Sequence, residues 1–281
     1  MAIQLIGDSS CDCTPQLREE LGLKIAPLKV TVGRLTFIDD ERADVPALLQ
    51  AMAANKDAAQ SACPSPEEFA RFMWGAEESM VITLSSKLSG SYNAACIGRD
   101  LVLEEYPEKR IHIFDSESAA AGETQIALLI RRLEAAGDSF EQIVEKVEAK
   151  IAEMHTLFVL EDLGNFIKSG RIGKVIGVAA SLLSICPIMS DDGHGDIRAL
   201  AKVRGVENSL KKLVDIVREQ TAPLPEKSVV PVLVYCNCPS RAENLRQSLL
   251  SACPAFSEIR LIPSGILSSM YANSGGVVLA Y

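Results

Sequence analysis

The chain has 281 residues, 48% hydrophobic and 23% charged, which is enough apolar side chain for one large α/β domain or two ordinary ones and excludes wholesale disorder. Acidic residues outnumber basic ones, 37 to 28, and a net charge of -9 disfavours a dense polyanion such as nucleic acid as partner. Residues 1–7 carry no basic leader and no stretch approaches the roughly 20 apolar residues of a membrane span, so the expectation is a cytoplasmic protein without a transmembrane segment.

In chain order, residues 3–6 read as a buried strand, and Thr14 before Pro15 starts a helix that Gly22 ends. Residues 24–32 follow as a strand, which Gly33 and Arg34 turn back along 35–38. Asp44 caps a helix reaching Asn55, and residues 56–64, having no periodicity, read as loop. That loop delivers Ser61 to the next helix start, where Ser65 and Glu68 form a capping box and Pro66 takes the first helical position. A buried strand at 80–84 breaks into Ser85-Ser86-Lys87-Leu88-Ser89-Gly90-Ser91 before a helix running to Leu103. A strand at 111–114, a helix at 122–133 and an amphipathic helix capped by Ser139 and Gln142 complete a first domain, assigned to residues 1–155. Strands alternating with helices argue for a parallel sheet flanked by helices.

Beyond that point strands come in pairs. Residues 185–190 and 197–203 flank Asp191-Asp192-Gly193-His194-Gly195-Asp196, a hairpin signature that implies antiparallel pairing in a second domain, residues 156–281. Residues 173–184 are helical in length and apolar on nearly every side, so they are expected to be buried or to wall an apolar cavity. A helix at 207–219, the linker-like Ala222-Pro223-Leu224-Pro225, a strand at 229–235, a helix from Arg241 and a closing strand at 276–280 follow. The fold class is therefore α/β in two domains, a parallel-sheet N-terminal one with flanking helices and a mixed or antiparallel-sheet C-terminal one.

Four places carry candidate chemistry. A strand feeding a helix through residues 85–91 presents hydroxyls and backbone N-H groups at a positive helix end, which suits an anion; an ordinary N-cap by Ser89 fits the same residues. Ser61 lies in a second hydroxyl-bearing loop, able to meet the first at one crevice or to be a surface turn. Arg171, after Gly170, is placed for a carboxylate or phosphate, or for solvent. Lys202 and Arg204 end a strand before a helix, as a charged surface or a partner-docking one.

Other chemistries find little support. None of His112, His155 and His194 adjoins a serine in a nucleophile elbow, and Gly7-Asp8-Ser9-Ser10 lacks both dinucleotide and phosphate-loop patterns. The eight cysteines are expected to be free thiols, and the pairs Cys11/Cys13 and Cys236/Cys238 lack zinc-ribbon spacing, so no metal is assigned.

Taken together these segments resemble the DegV family of fatty-acid-binding proteins. The likeness runs through Asp8-Ser9-Ser10 with Asp12, Pro27-Leu28 leading to Phe37-Ile38-Asp39, residues 61–69 and 85–94, and Phe114-Asp115-Ser116. It continues through Lys168-Ser169-Gly170-Arg171-Ile172, Cys186-Pro187-Ile188 and Lys202-Val203-Arg204-Gly205. The resemblance implies a non-catalytic carrier without cofactor. Such a carrier holds a long-chain fatty acid between two domains and presents it to a separate ATP-dependent fatty acid kinase, which makes the acyl-phosphate. It puts Ser89 and Gly90 on the family's Leu-Ser-Gly-Thr-like loop, Ser61 on a carboxylate-binding threonine, Arg171 in the head-group network, and Lys202 and Arg204 where the kinase docks. Ala62 and Cys63 replace the family's usual Ser-Gln. At the carboxyl end, Ser269-Met270-Tyr271-Ala272-Asn273-Ser274-Gly275-Gly276 lacks the family's His-x-Gly-Pro-Gly, leaving Tyr271 or Asn273 as replacements for its histidine. The competing classes are a serine-dependent hydrolase of acyl esters and a small-acid sensor module.

Overall fold

The computed structural model describes residues 3–55, 57–172 and 185–281. Strands β1 (Gln4–Asp8), β2 (Lys24–Ala26), β6 (Glu78–Thr83) and β7 (Arg110–Asp115) form a parallel sheet in the order β2-β1-β6-β7. Helices cover both faces, so side chains of both parities are apolar along the central strands, as Leu5 and Ile6 or Met80, Val81 and Ile82 show. Helices α3 (Pro66–Met73) and α4 (Ser91–Glu105) pack on one face. On the other lie α1 (Pro15–Leu21), α5 (Ala121–Ala135) and α6 (Phe140–Glu153).

Helix α5 has a second packing partner. Its far side meets β11 (Val232–Tyr235) and β13 (Val277–Ala280) of a six-stranded sheet, where Gln125 Nε2 donates to Val230 O at 2.7 Å and to Ala280 O at 3.1 Å. That sheet has the order β10-β9-β8-β13-β11-β12, with β8 (Thr156–Val159), β9 (Ile188–Asp191), β10 (Ile197–Ala201) and β12 (Arg260–Pro263). Only β11 and β12 are parallel neighbours; the hairpin β9–β10 and the rest are antiparallel. Helices α8 (Val206–Thr221) and α9 (Pro239–Ala252) cover its outer face. The fold is thus α/β with a parallel and a mixed sheet.

A third, antiparallel sheet, β4-β3-β5, is made of β3 (Lys29–Val32), β4 (Leu35–Ile38) and β5 (Gln60–Ala62). Two expectations change here. The single strand at 24–32 is two strands in different sheets, because Pro27 has no N-H for a ladder and Leu28 N instead donates to Ser9 Oγ at 3.0 Å. The segment 56–64 is not all loop: Ser61 sits in β5 opposite Val30, a pairing made by backbone groups that three residues of side-chain pattern do not reveal. Helix α2 (Val45–Ala54), capped by Asp44, and α10 (Ile266–Ala272), from near the carboxyl end, both pack on β3. The apolar segment 173–184, expected to wall a cavity, lies outside the described residues. Among the described residues no helix is long and apolar enough to cross a membrane.

Candidate functional site

Where the three sheets meet, about 900 Å³ of empty space, mouth included, opens among mostly apolar side chains. Strand β8 builds one wall by simple alternation. Thr156, Phe158 and Leu160 face the cavity, while Leu157 and Val159 point the other way into the core under α8 and α9. The short helix α7 (Gly164–Lys168) adds Phe166, whose ring stacks on Phe158 at 5.9 Å and meets Tyr271 of α10 at 4.4 Å. Leu28, Leu84 and Leu267 close the opposite side.

The loop 85–91 forms the rim. Leu88, Ser89, Arg171 and Asp196 line both the cavity and an open groove that also includes Lys87, Gly90 and Gly170, so here the interior reaches solvent. The loop hangs from buried Asp8, whose Oδ2 accepts from Leu84 N at 3.0 Å and Ser91 Oγ at 2.5 Å; burial pushes this carboxyl upward against those bonds. Ser85 Oγ ties the loop to the β9–β10 hairpin by donating to Gly195 O at 2.6 Å.

The N-cap of α4 is Gly90, with no side-chain cap bond, rather than Ser89, whose Oγ accepts from Ser91 N at 3.2 Å. Ser89 thus takes the Ser91 N-H, while the Gly90 cap supplies no side-chain acceptor for the rest of the first turn, an arrangement that favours an anion. A Cβ at Gly90 would lie 3.4 Å from Cys63 Sγ, which places the exposed Cys63 next to the rim. Arg171 is held by carbonyls, Nε donating to Leu88 O at 3.4 Å and Nη1 to Ser169 O at 2.8 Å. It has no carboxylate partner among the described residues and is the one basic side chain among those lining the cavity.

Of the residues singled out in the sequence, the fold brings Ser61, Ser89, Arg171 and Tyr271 to this one cavity and Gly90 to its rim. Asn273 stands elsewhere. It leaves α10 in the left-handed region (φ 51°), and its Nδ2 donates to Asp162 Oδ2 at 3.4 Å. Lys202 and Arg204 are exposed between β10 and α8 and do not line the cavity.

Two parts of the site gave little sequence signal. One is β8, a short strand in a run without turn markers. The other is the loop after β7, which contributes Glu117, Ser118 and Ala120 and holds Glu117 and Ala120 at φ 49° and 54°. Such backbone is unfavourable for residues with a Cβ and persists because neighbours fix it: Ala120 N donates to Ser10 Oγ at 3.2 Å, and the Ser118 and Thr156 hydroxyls meet at 2.7 Å. The Phe114-Asp115-Ser116 stretch marked the place but not the conformation.

None of the three histidines lines the cavity: His112 pairs with Glu148 at 2.8 Å, His155 packs on Tyr281, and His194 is exposed at the hairpin tip. All eight cysteines are free, and among the described residues no group of three or more His, Cys, Asp and Glu side chains is placed to hold a metal.

Comparisons with known proteins cover the whole molecule. The family model described as "DegV: Uncharacterised protein, DegV family" matches residues 2–281. A DegV domain-containing protein of Streptococcus pneumoniae is 31% identical over 289 residues, with 100% of this chain and 99% of that protein covered. A crystal structure of a DegV family protein from Ruminococcus gnavus, refined with vaccenic acid, superimposes with a TM-score of 0.94 at 35% identity over 100% of this chain and 99% of that one. The Streptococcus pneumoniae Fatty Acid Kinase (Fak) B3 protein, loaded with linoleic acid, gives a TM-score of 0.90 at 29% identity, again over 100% and 99%.

Proposed function

The chain belongs to the DegV family, and from that premise we propose that it binds a long-chain fatty acid without transforming it and presents the carboxylate to a separate ATP-dependent kinase for acyl-phosphate formation. The observation that carries the reading is the placement of Arg171, the one basic side chain among the described lining residues, with Ser89 at the rim of an otherwise largely apolar cavity that Ser61 also lines. Arg171 attracts an anion at that rim, against the acidic Asp196 that shares it, whereas near Thr156 the wall carries Glu117 and Asp191 without a basic side chain among the described residues. The acyl chain supplies most of the affinity: at about 0.8 kcal/mol per buried methylene, a long chain offers on the order of 10 kcal/mol before the costs of binding. Vaccenic and linoleic acids in the solved relatives support the ligand class, and the kinase name of the second supports the partner class.

With Gly90 shaping the rim and Tyr271 in the aromatic wall, the head group is met by hydroxyls, a helix end and a guanidinium. Lys202 and Arg204, exposed on a separate surface, are the docking residues for the kinase in this reading. A serine hydrolase using Ser89 is the competing activity, but it would need a base, and no histidine lines this cavity. Native mass spectrometry followed by solvent extraction decides between them. One long-chain fatty acid per chain is expected; persistently empty protein that hydrolyses acyl esters would sink the carrier.

A further inference from the structure

We infer that Asp12 and Asp39 are positioning residues of the cavity, a pair that together carries one negative charge and thereby holds helix α10 in the wall. The inference rests on the fatty-acid reading only for its consequence on the ligand. Helix α10 contributes Leu267, Ser268, Tyr271 and Ala272 to the cavity, yet with seven residues it is too short to hold itself by its own hydrogen bonds. Its start is instead gripped by carboxylates from the other end of the chain. Asp12 Oδ1 accepts from Gly265 N at 2.6 Å, Asp39 Oδ1 from Ile266 N at 2.8 Å and Asp39 Oδ2 from Leu267 N at 3.0 Å. The two acids converge on one Cα: a Cβ at Gly265 would lie 2.8 Å from Asp39 Oδ1 and 3.1 Å from Asp12 Oδ1.

Their surroundings differ in one atom. Both oxygens of Asp39 have N-H partners, the arrangement of an ionised carboxylate at a helix start. Asp12 is also met by the Ser268 hydroxyl of α10, but its buried Oδ2 completes no hydrogen bond, so a charge there is costly and a proton lowers that cost. Among the described residues the cations bordering the pair, Arg18 and Lys24, lie on its open side, and neither makes an ion pair with Asp12 or Asp39. Asp8 of β1 lies behind Asp39, Glu123 of α5 behind Asp12, and the thiols of Cys11 and Cys13 on the same loop. On the open side are Arg18, Glu19, Lys24, Asp40 and Glu41, with Arg18 4.0 Å from Glu41; α10 itself brings only Tyr271.

Burial, with the Asp39 charge adding to it, pushes Asp12 up to about 8, and burial pushes Asp39 up to about 6. The folded chain keeps the Asp12 proton that the unfolded chain loses near 3.8, so the stability linked to it is full below that value and is lost as pH rises through the window up to about 8. Above it two like charges face each other across Gly265, and the start of α10 is driven away from them.

The test compares wild type with Asp12→Asn, which keeps Oδ1 and replaces the protonated oxygen by an uncharged amide, and with Asp39→Asn, which leaves at most one charge. Titration with cis-parinaric acid, a fluorescent long-chain fatty acid, should show wild-type affinity falling roughly threefold or more between about pH 7 and about pH 9, and no such fall in either variant. Hydrogen exchange of residues 265–272 without ligand, corrected for the intrinsic rate, should rise over the same interval in wild type alone. A flat wild-type response, or an equal response in both variants, overturns the pair. Should the probe bind at no pH, the exchange data still decide the matter and only the fatty-acid reading fails.

Discussion

The rim and the helix α10 border the same cavity and both hang on buried carboxylates, Asp8 under loop 85–91 and Asp12 with Asp39 under α10, but they present different groups. The rim offers Arg171, held by carbonyls near solvent with its guanidinium left for a ligand, whereas α10 offers Leu267, Ser268, Tyr271 and Ala272, none of them charged. The rim can therefore answer to the ligand's charge, while α10 answers to its own anchor. Substitutions at the rim should change head-group affinity and leave the fold intact; substitutions at the anchor should disturb the fold first and the ligand through it.

The sharpest way to break that contrast is Gly265→Ala. Its methyl would enter the space between Asp12 and Asp39, and a loss of about 1–3 kcal/mol of stability is expected, seen as a lower urea midpoint in the ligand-free protein. An unchanged midpoint would mean that the carboxylates yield easily and that α10 is not fixed by them.

At the rim, Arg171→Ala removes a charge-assisted contact, expected to be worth about 1.5–3 kcal/mol of binding, and Ser89→Ala a neutral one worth about 1 kcal/mol. In titrations with a fluorescent fatty acid the first should weaken binding more than the second, both with unaltered unfolding midpoints. Equal affinities for both variants and wild type would move the carboxylate away from this rim. The smallest effect on binding belongs to Arg204→Glu, which should leave the titration unchanged while lowering acyl-phosphate formation by the kinase; undiminished turnover would free Arg204 from docking.

The same contrast explains what was legible in the sequence. Ser65 with Glu68 and Ser139 with Gln142 announce helix starts because capping is local, and both capping boxes are present in the structure. The cavity residues Ser61, Ser89 and Arg171 each stood out in a short motif, although their meeting at one cavity depends on three separate sheets. The anchor was marked only through the family likeness at Asp12 and at Phe37-Ile38-Asp39, which gave these acids no role. Their role depends on Gly265 and Ile266, more than 220 positions later, folding against them. The strand β5 escaped notice for a similar reason, being defined by its neighbour β3 and not by its own side chains.

Helix α5 bears on how anything enters or leaves. It is packed against the parallel sheet on one side and against β11 and β13 on the other, with Gln125 stitched to the second sheet by two hydrogen bonds. Swinging the two sheets apart like a clamshell would tear a shared core and strip both faces of one helix at once. In the proposed carrier role, uptake and discharge should therefore take place with the halves still locked together, and their rates should follow local yielding at the entrance, not the frequency of any large hinge motion.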